Sequence, residues 1–226
     1  MPPKPVSTRI RIMNRSDIAS GEHLNTIAGW NQTEADWGRF LDSSPNGCFV
    51  TEVDGRIVGT AATISYENRF AWIGMVLVDP EFRNMGIGTR LLQQAMEHLD
   101  RMGVSTMKLD ATPLGKPIYS KLGFVSEYEI ERWLLTRPVT VPPSPPVVTS
   151  DVDEAQLAAI CALDREVFGA DRSFLLRSLH ELAPDLTSVV WSAGIPQGYA
   201  LGRKGRFADH LCPCVAMVER TARQFL

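Results

Sequence analysis

The run Val78-Asp79-Pro80-Glu81-Phe82-Arg83-Asn84-Met85-Gly86-Ile87-Gly88-Thr89-Arg90-Leu91-Leu92 constrains this chain more than any other stretch. An apolar strand, Trp72 to Val78, ends in a short polar turn. A glycine-bearing corner, Arg83 to Gly88, then opens an amphipathic helix. The first turn of a helix carries unpaired N–H groups and the positive end of the macrodipole. Gly86 and Gly88 lack Cβ atoms, so a diphosphate can approach the main chain. The layout predicts a protein that holds a diphosphate-bearing cofactor against a strand edge.

Spacing narrows the cofactor. A Walker loop needs four residues between its glycines and then Lys-Ser/Thr. Here one residue separates them and Thr89-Arg90 follow. A dinucleotide site wants a third glycine where Leu91 stands. What remains is Arg-x-x-Gly-x-Gly after a strand ending in Val-Asp-Pro. This resembles the acetyl-CoA-binding motif of the GCN5-related N-acetyltransferases (GNAT). The plain alternative is a strand–turn–helix corner with structural glycines.

The flanking sequence reads as an α/β (α+β) layer around a mixed sheet. Arg9 to Met13 alternates like a strand, and Ser16-Asp17 opens a helix toward Trp30. Thr33-Glu34-Ala35-Asp36 resembles a capping box for a second helix carrying Trp37, Phe40 and Leu41. Asp54-Gly55 joins two apolar runs as a hairpin. Phe70 to Val78 is the buried central strand. Leu91, Leu92, Ala95, Met96, Leu99 and Met102 fall at helical spacing, and Gly103 ends that helix. Met107 to Ala111 reads as a strand, Pro117 to Lys121 as a helical turn, and Val125 to Leu135 as a strand or hairpin.

Five prolines between 138 and 147 then break the pattern and predict an extended linker. The expected division is a first domain over 8–136, a proline-rich linker over 137–147, and a second domain over 148–226. The second repeats the opening order: a helix after Asp151, a helix after Asp171-Arg172-Ser173, and a hairpin turning at Gly194. Gly59 precedes Val78 by nineteen residues and Gly198 precedes Val218 by twenty, so Val78 and Val218 read as matching strand ends. After Val218 no glycine opens the helix, and Glu219 puts negative charge at its start. This partial GNAT-like copy is expected to bind no coenzyme A. Its open sheet edge must lean on the first domain, pair with a second chain as a homodimer, or belong to a longer parent protein.

Bulk properties set outer limits. Among 226 residues, 44% are hydrophobic and 22% charged, enough apolar material for a core. The net charge of −3 argues against nucleic acid or an acidic membrane as a general partner. No apolar stretch approaches the roughly eighteen residues of a membrane span, and Met1 to Pro5 read as a frayed end, so cytoplasmic is the expected location. Cys212-Pro213-Cys214 is spaced too tightly for a usual zinc pair, and nothing nearby completes a ligand set. No metal is expected.

The resemblance covers about residues 8 to 136 and implies roles. Main-chain groups of Val76, Leu77 and Val78 pair with the pantetheine arm. Arg83, Asn84, Met85, Gly86, Ile87, Gly88 and Thr89 wrap the diphosphate. Tyr119, in Tyr119-Ser120-Lys121-Leu122-Gly123-Phe124, resembles the family's Tyr-x-x-x-Gly-Phe signature and implies a general acid facing the coenzyme sulfur. Thr112 stands where relatives often carry an asparagine that touches the coenzyme arm. The implied activity moves an acetyl group from acetyl-CoA to a primary amine, of a small molecule or a protein. No general base stands out; Glu67 and Asp110 are nearest by position. The missing base and the degenerate second copy leave a non-catalytic coenzyme A-binding module as the rival reading.

Overall fold

The computed structural model describes residues 8–137, 148–149 and 151–225. A five-stranded sheet of order β1-β2-β3-β4-β5 organises the first part of the chain. Its strands are β1 (Thr8–Ile12), β2 (Cys48–Val53), β3 (Arg56–Tyr66), β4 (Phe70–Val78) and β5 (Met107–Lys108). The first four pair antiparallel, and β5 pairs parallel to β4. Helices α1 (Ile18–Ala28) and α2 (Glu34–Ser43) cover one face, and α3 (Ile87–Arg101) covers the other. The sheet is mixed and mostly antiparallel, as the sequence predicts.

Local chemistry accounts for these boundaries. Asn14 caps a short 3-10 turn that leads into α1, and Gly29 ends α1 in the left-handed region at φ 67°. Thr33 and Asp36 form the expected reciprocal capping box. Asp54 and Gly55 both take positive φ, as a two-residue primed turn requires. On α3, Leu91, Leu92, Ala95 and Leu99 are fully buried against Phe49, Val58, Ala61 and Ile73 of the sheet. On the opposite face, Trp37, Ile18 and Leu41 pack on Val50, Ala62 and Met75.

A second, four-stranded sheet of order β6-β7-β8-β9 follows, made of Val148–Thr149, Ser188–Ser192, Ile195–Arg203 and His210–Ala216. Helices α5 (Glu154–Phe168) and α6 (Ser173–Leu182) pack on it through Ile160, Leu176 and Leu179. Its hairpin reproduces the first. Thr51 faces Gly59 and Val190 faces Gly198, with a bulge directly after Thr51 and after Val190. Gly59 lies under α3, where an added Cβ would be 2.9 Å from Leu91. Gly198 lies likewise under α7 (Glu219–Ala222), 2.7 Å from Thr221. The register changes one expected equivalence. Gly59 pairs with Val78, but Gly198 pairs with Ala216, so Ala216 and not Val218 matches Val78. Counting along the sequence missed this because the second copy has shorter strands and a longer connection, residues 204–209 against 67–69, so equal spacing does not mark equal register.

Two further expectations are corrected. The strand expected over Met107 to Ala111 is only Met107–Lys108. Between Val125 and Leu135 there is no strand at all. That segment runs unpaired, with Val125, Tyr128, Trp133 and Leu135 exposed, tied down at Lys108–Glu127 at 2.6 Å. Alternation gave it the look of a strand, but a strand needs a neighbour's ladder. Between it and β5 stands α4 (Lys116–Lys121). The predicted frayed end and most of the proline-rich linker lie outside the described residues.

Two outcomes follow from this packing. Leu92→Ala should lower stability by about 2–5 kcal/mol in urea unfolding, whereas Leu114→Ala, at 82% exposure, should stay within about 0.5 kcal/mol. Asp17 accepts from Arg11 at 2.6 and 2.9 Å, and Arg11 also reaches Glu52 at 2.7 Å. The Arg11 hydrogen bonds hold the Asp17 carboxyl below its ordinary range. Its stabilisation is therefore present above the unfolded value near about 3.9 and is lost as pH falls through the lower folded value. The urea midpoints of the natural chain and of Asp17→Asn should differ at neutral pH and converge below about pH 4.

Candidate active site

The site is created where two strands part. β4 and β5 pair only at Ala71–Met107 and Trp72–Lys108. Beyond Trp72 the edge of β4 on that side is open. Asp79 donates to the Val58 carbonyl at 2.9 Å, so its amide faces β3. Alternation along the strand then turns Leu77 toward β3 as well, and turns Val76 and Val78 toward the open side. The Val78 carbonyl agrees, since it accepts from Arg83 Nε at 3.1 Å across the open side. Val76 and Val78 therefore present main-chain groups to the opening, and Leu77 pairs with Thr60.

A bulge sits at the same point. The β3–β4 register shifts between Thr60 and Ala62. Opposite, Met75 takes φ 53° and its carbonyl accepts from Thr60 Oγ1 at 2.8 Å. A non-glycine residue in this region is uncommon. It breaks the strand's regular alternation just before Val76 and turns the Val76 amide to the open side.

The glycine corner closes the far end. Arg83, Asn84, Met85 and Gly86 are exposed, Ile87 is buried in the core, and Gly88 and Thr89 are half-buried. Gly86 caps α3 with φ 74°, and a Cβ there would meet nothing within 4 Å. The Gly86 carbonyl accepts from Arg90 N–H at 3.1 Å, which leaves the amides of Ile87, Gly88 and Thr89 ahead of the helical ladder. No acidic side chain stands in that first turn. At Gly88 a Cβ would lie 3.5 Å from Val78 Cγ2, an ordinary contact directed into the protein. The open approach thus belongs to Gly86, and Gly88 is the less demanding of the two.

Tyr119 lies on α4, half-buried against the α3-side core, with Phe124 edge-on at 6.3 Å. Burial pushes its phenol above the ordinary value, so it keeps its proton throughout the neutral range. Gly115 admits the ring, since a Cβ there would be 2.7 Å from Tyr119 Cε2. Thr112 is exposed, and its Oγ1 accepts from Gly115 N–H at 3.2 Å. This hydroxyl caps the α4 turn rather than projecting from it.

Of the two carboxylates suggested by position, Glu67 is bound to Arg165 of the second sheet's α5 at 2.6 Å. Asp110 is exposed just past β5. The sequence signals for the corner and for Tyr119 are strong because they are local. The Met75 bulge carries no sequence signal of its own. Among the described residues no three His, Cys, Asp or Glu side chains gather as metal ligands would, and no helix is long and apolar enough to cross a membrane.

Similarity to known proteins agrees with this geometry. Residues 17–124 match the Acetyltransferase (GNAT) family, and residues 160–226 match an Acetyltransferase (GNAT) domain. A holothin acyltransferase from Pseudoalteromonas sp. is 29% identical over 66% of this chain and 49% of its own length. A glucosamine 6-phosphate N-acetyltransferase from Trypanosoma brucei brucei is 29% identical over 53% of this chain and 90% of its own length. A crystal structure of a putative acetyltransferase from Pyrococcus horikoshii superposes with a TM-score of 0.78 at 24% identity, over 96% of this chain and 74% of that one. The chain spans about half the length of several curated relatives it matches. Two matched segments, one on each sheet, place the chain in the acetyltransferase (GNAT) family with two of its units in tandem.

Proposed function

We propose that the first unit transfers an acetyl group from acetyl-CoA to a primary amine by direct attack. The observation that carries this reading is the open edge of β4 at Val76 and Val78, ending at an acid-free helix start behind Gly86. A pantetheine arm carries amide groups that can complete such an edge as a further strand would. A diphosphate suits the unpaired amides of Ile87, Gly88 and Thr89.

Each residue then has a task. The Val76 amide, set by the bulge at Met75, is the donor for the oxygen that becomes negative when the amine adds to the thioester carbonyl. Tyr119 holds a proton that a departing thiolate can take, and its raised pKa keeps that proton in place. The amine must lose its own proton. Glu67 is engaged with Arg165, which leaves Asp110, acting through water, or prior deprotonation in solution. The relatives' names support acyl transfer, and one of them names an amino sugar phosphate as its acceptor. A panel of small-molecule and peptide amines, read by free thiol released from acetyl-CoA, separates a small-molecule acceptor from a protein amine, and longer acyl-CoA donors test the acyl length.

The rival reading, a coenzyme A-binding module without turnover, draws on the occupied Glu67 and on Thr112 being spent on its own turn. It predicts heat on titration with coenzyme A and no free thiol released across the panel.

Two results are expected. Tyr119→Phe should lower kcat by about 10²-fold or more with little change in coenzyme A affinity measured by calorimetry; equal losses in both would remove the acid role. Gly86→Ala should weaken coenzyme A binding at least about tenfold and lower stability by about 1–2 kcal/mol, from left-handed strain. Gly88→Ala should do neither, because its methyl group meets Val78 at an ordinary distance.

A further inference from the structure

The second unit has no glycine corner: α7 begins with Glu219 and ends within four residues. It is nevertheless built into the first unit at two loops. One is the β3–β4 turn. There Arg165 pairs with Glu67, Arg69 donates to the Gly169 carbonyl, and Phe168 lies edge-on to Tyr66 at 5.0 Å and to Phe70 at 5.2 Å. The other surrounds the α1–α2 loop, residues 29–33; beside a Glu22–Arg206 ion pair at 3.6 Å from α1, one residue of the loop makes five hydrogen bonds to Arg203 and residues 206–208.

That residue is Asn31. Its Oδ1 accepts from the amides of Phe207 at 2.8 Å and Ala208 at 3.3 Å, and its Nδ2 donates to the Ala208 carbonyl at 2.8 Å. Its own carbonyl accepts from Arg206 N–H at 3.3 Å and from Arg203 Nη1 at 3.1 Å. Gly205 makes room for this. A Cβ there would stand 2.2 Å from Asn31 Nδ2. Arg203 also reaches Asp36, the buried acid of the α2 capping box, at 3.0 Å. One asparagine thus reads both N–H and C=O groups of a loop in the other unit.

Adhesion alone does not account for this concentration. The aromatic contacts at the β3–β4 turn already bury apolar surface between the units, and polar contacts add little net free energy. What several directional bonds on one side chain do fix is position. The position fixed is that of a loop whose Trp30 packs on the same cluster as Met75, the bulge residue preceding Val76. We propose that Asn31 is a positioning residue through which the second unit holds loop 29–33 over the parted strands, so that the coenzyme-free unit sets the shape of the acceptor pocket. The proposal rests on the transfer reading given above. It assigns the second unit to acceptor selection rather than to a second round of transfer.

The test uses the full chain and two variants that open the clasp from opposite sides, Asn31→Ala and Gly205→Ala. Hydrogen exchange at residues 29–36 should accelerate at least about tenfold in both, because losing these bonds lets the loop open locally. Exchange at 83–90 should not change. Unchanged exchange at 29–36 in both variants overturns the proposal whether or not any amine is turned over. With an amine that the natural chain acetylates, KM for the amine should rise about tenfold while KM for acetyl-CoA stays the same. A uniform fall in kcat with both KM values unchanged would also overturn it. A natural chain that binds no coenzyme A, or releases no thiol with any amine, removes the transfer reading instead, and the exchange measurement still decides whether the clasp holds the loop.

Discussion

The parting of β4 from β5 is the constraint on which the rest of the molecule depends. Two residue pairs hold the strands together, at Ala71–Met107 and Trp72–Lys108, and then the ladder stops. Main-chain N–H and C=O groups seldom stay unpaired in a folded protein, because leaving them without partners is unfavourable. Here the open edge is sustained from behind. Leu77 and Val78 stay registered on Thr60 and Gly59, and α3 is anchored beneath by side chains with no exposure at all. The rigidity of that face lets the other side of β4 remain open.

The bulge at Met75 and the corner at Gly86 are two separate uses of positive φ along one path. Gly86 adopts it without steric penalty, as glycine does. Met75 adopts it against preference, and its carbonyl is held by Thr60 Oγ1. Strain of this kind persists where surrounding structure over-determines it, and it gathers at functional positions. The second unit keeps the fold's hairpin and its Gly198 but has no such path, because its last helix starts with an acid. The two matched units share the hairpin, but α3 opens behind Gly86 and α7 opens at Glu219.

Much of this could be read from the sequence because it is encoded over short distances. The capping box at Thr33, the turn at Asp54-Gly55, the α3 stripe and the glycine corner each lie within a few residues of their own cause. What could not be read depends on partners far away in the chain. The run from Val125 to Leu135 was expected as a strand or hairpin, yet pairing is a property of two segments, and Lys108–Glu127 ties this one down without a ladder. The equivalence of Val78 with Ala216 was hidden because strand and connection lengths differ between the two copies. The engagement of Glu67 by Arg165, and of Asn31 by loop 205–208, joins residues about a hundred or more positions apart. No local pattern announces such contacts.

The unfilled side of β4 has one more consequence. A flat, unprotected strand edge is a template on which another polypeptide can build. A pantetheine arm bound along Val76 and Val78, as proposed above, would cover that template and stabilise the folded chain by mass action.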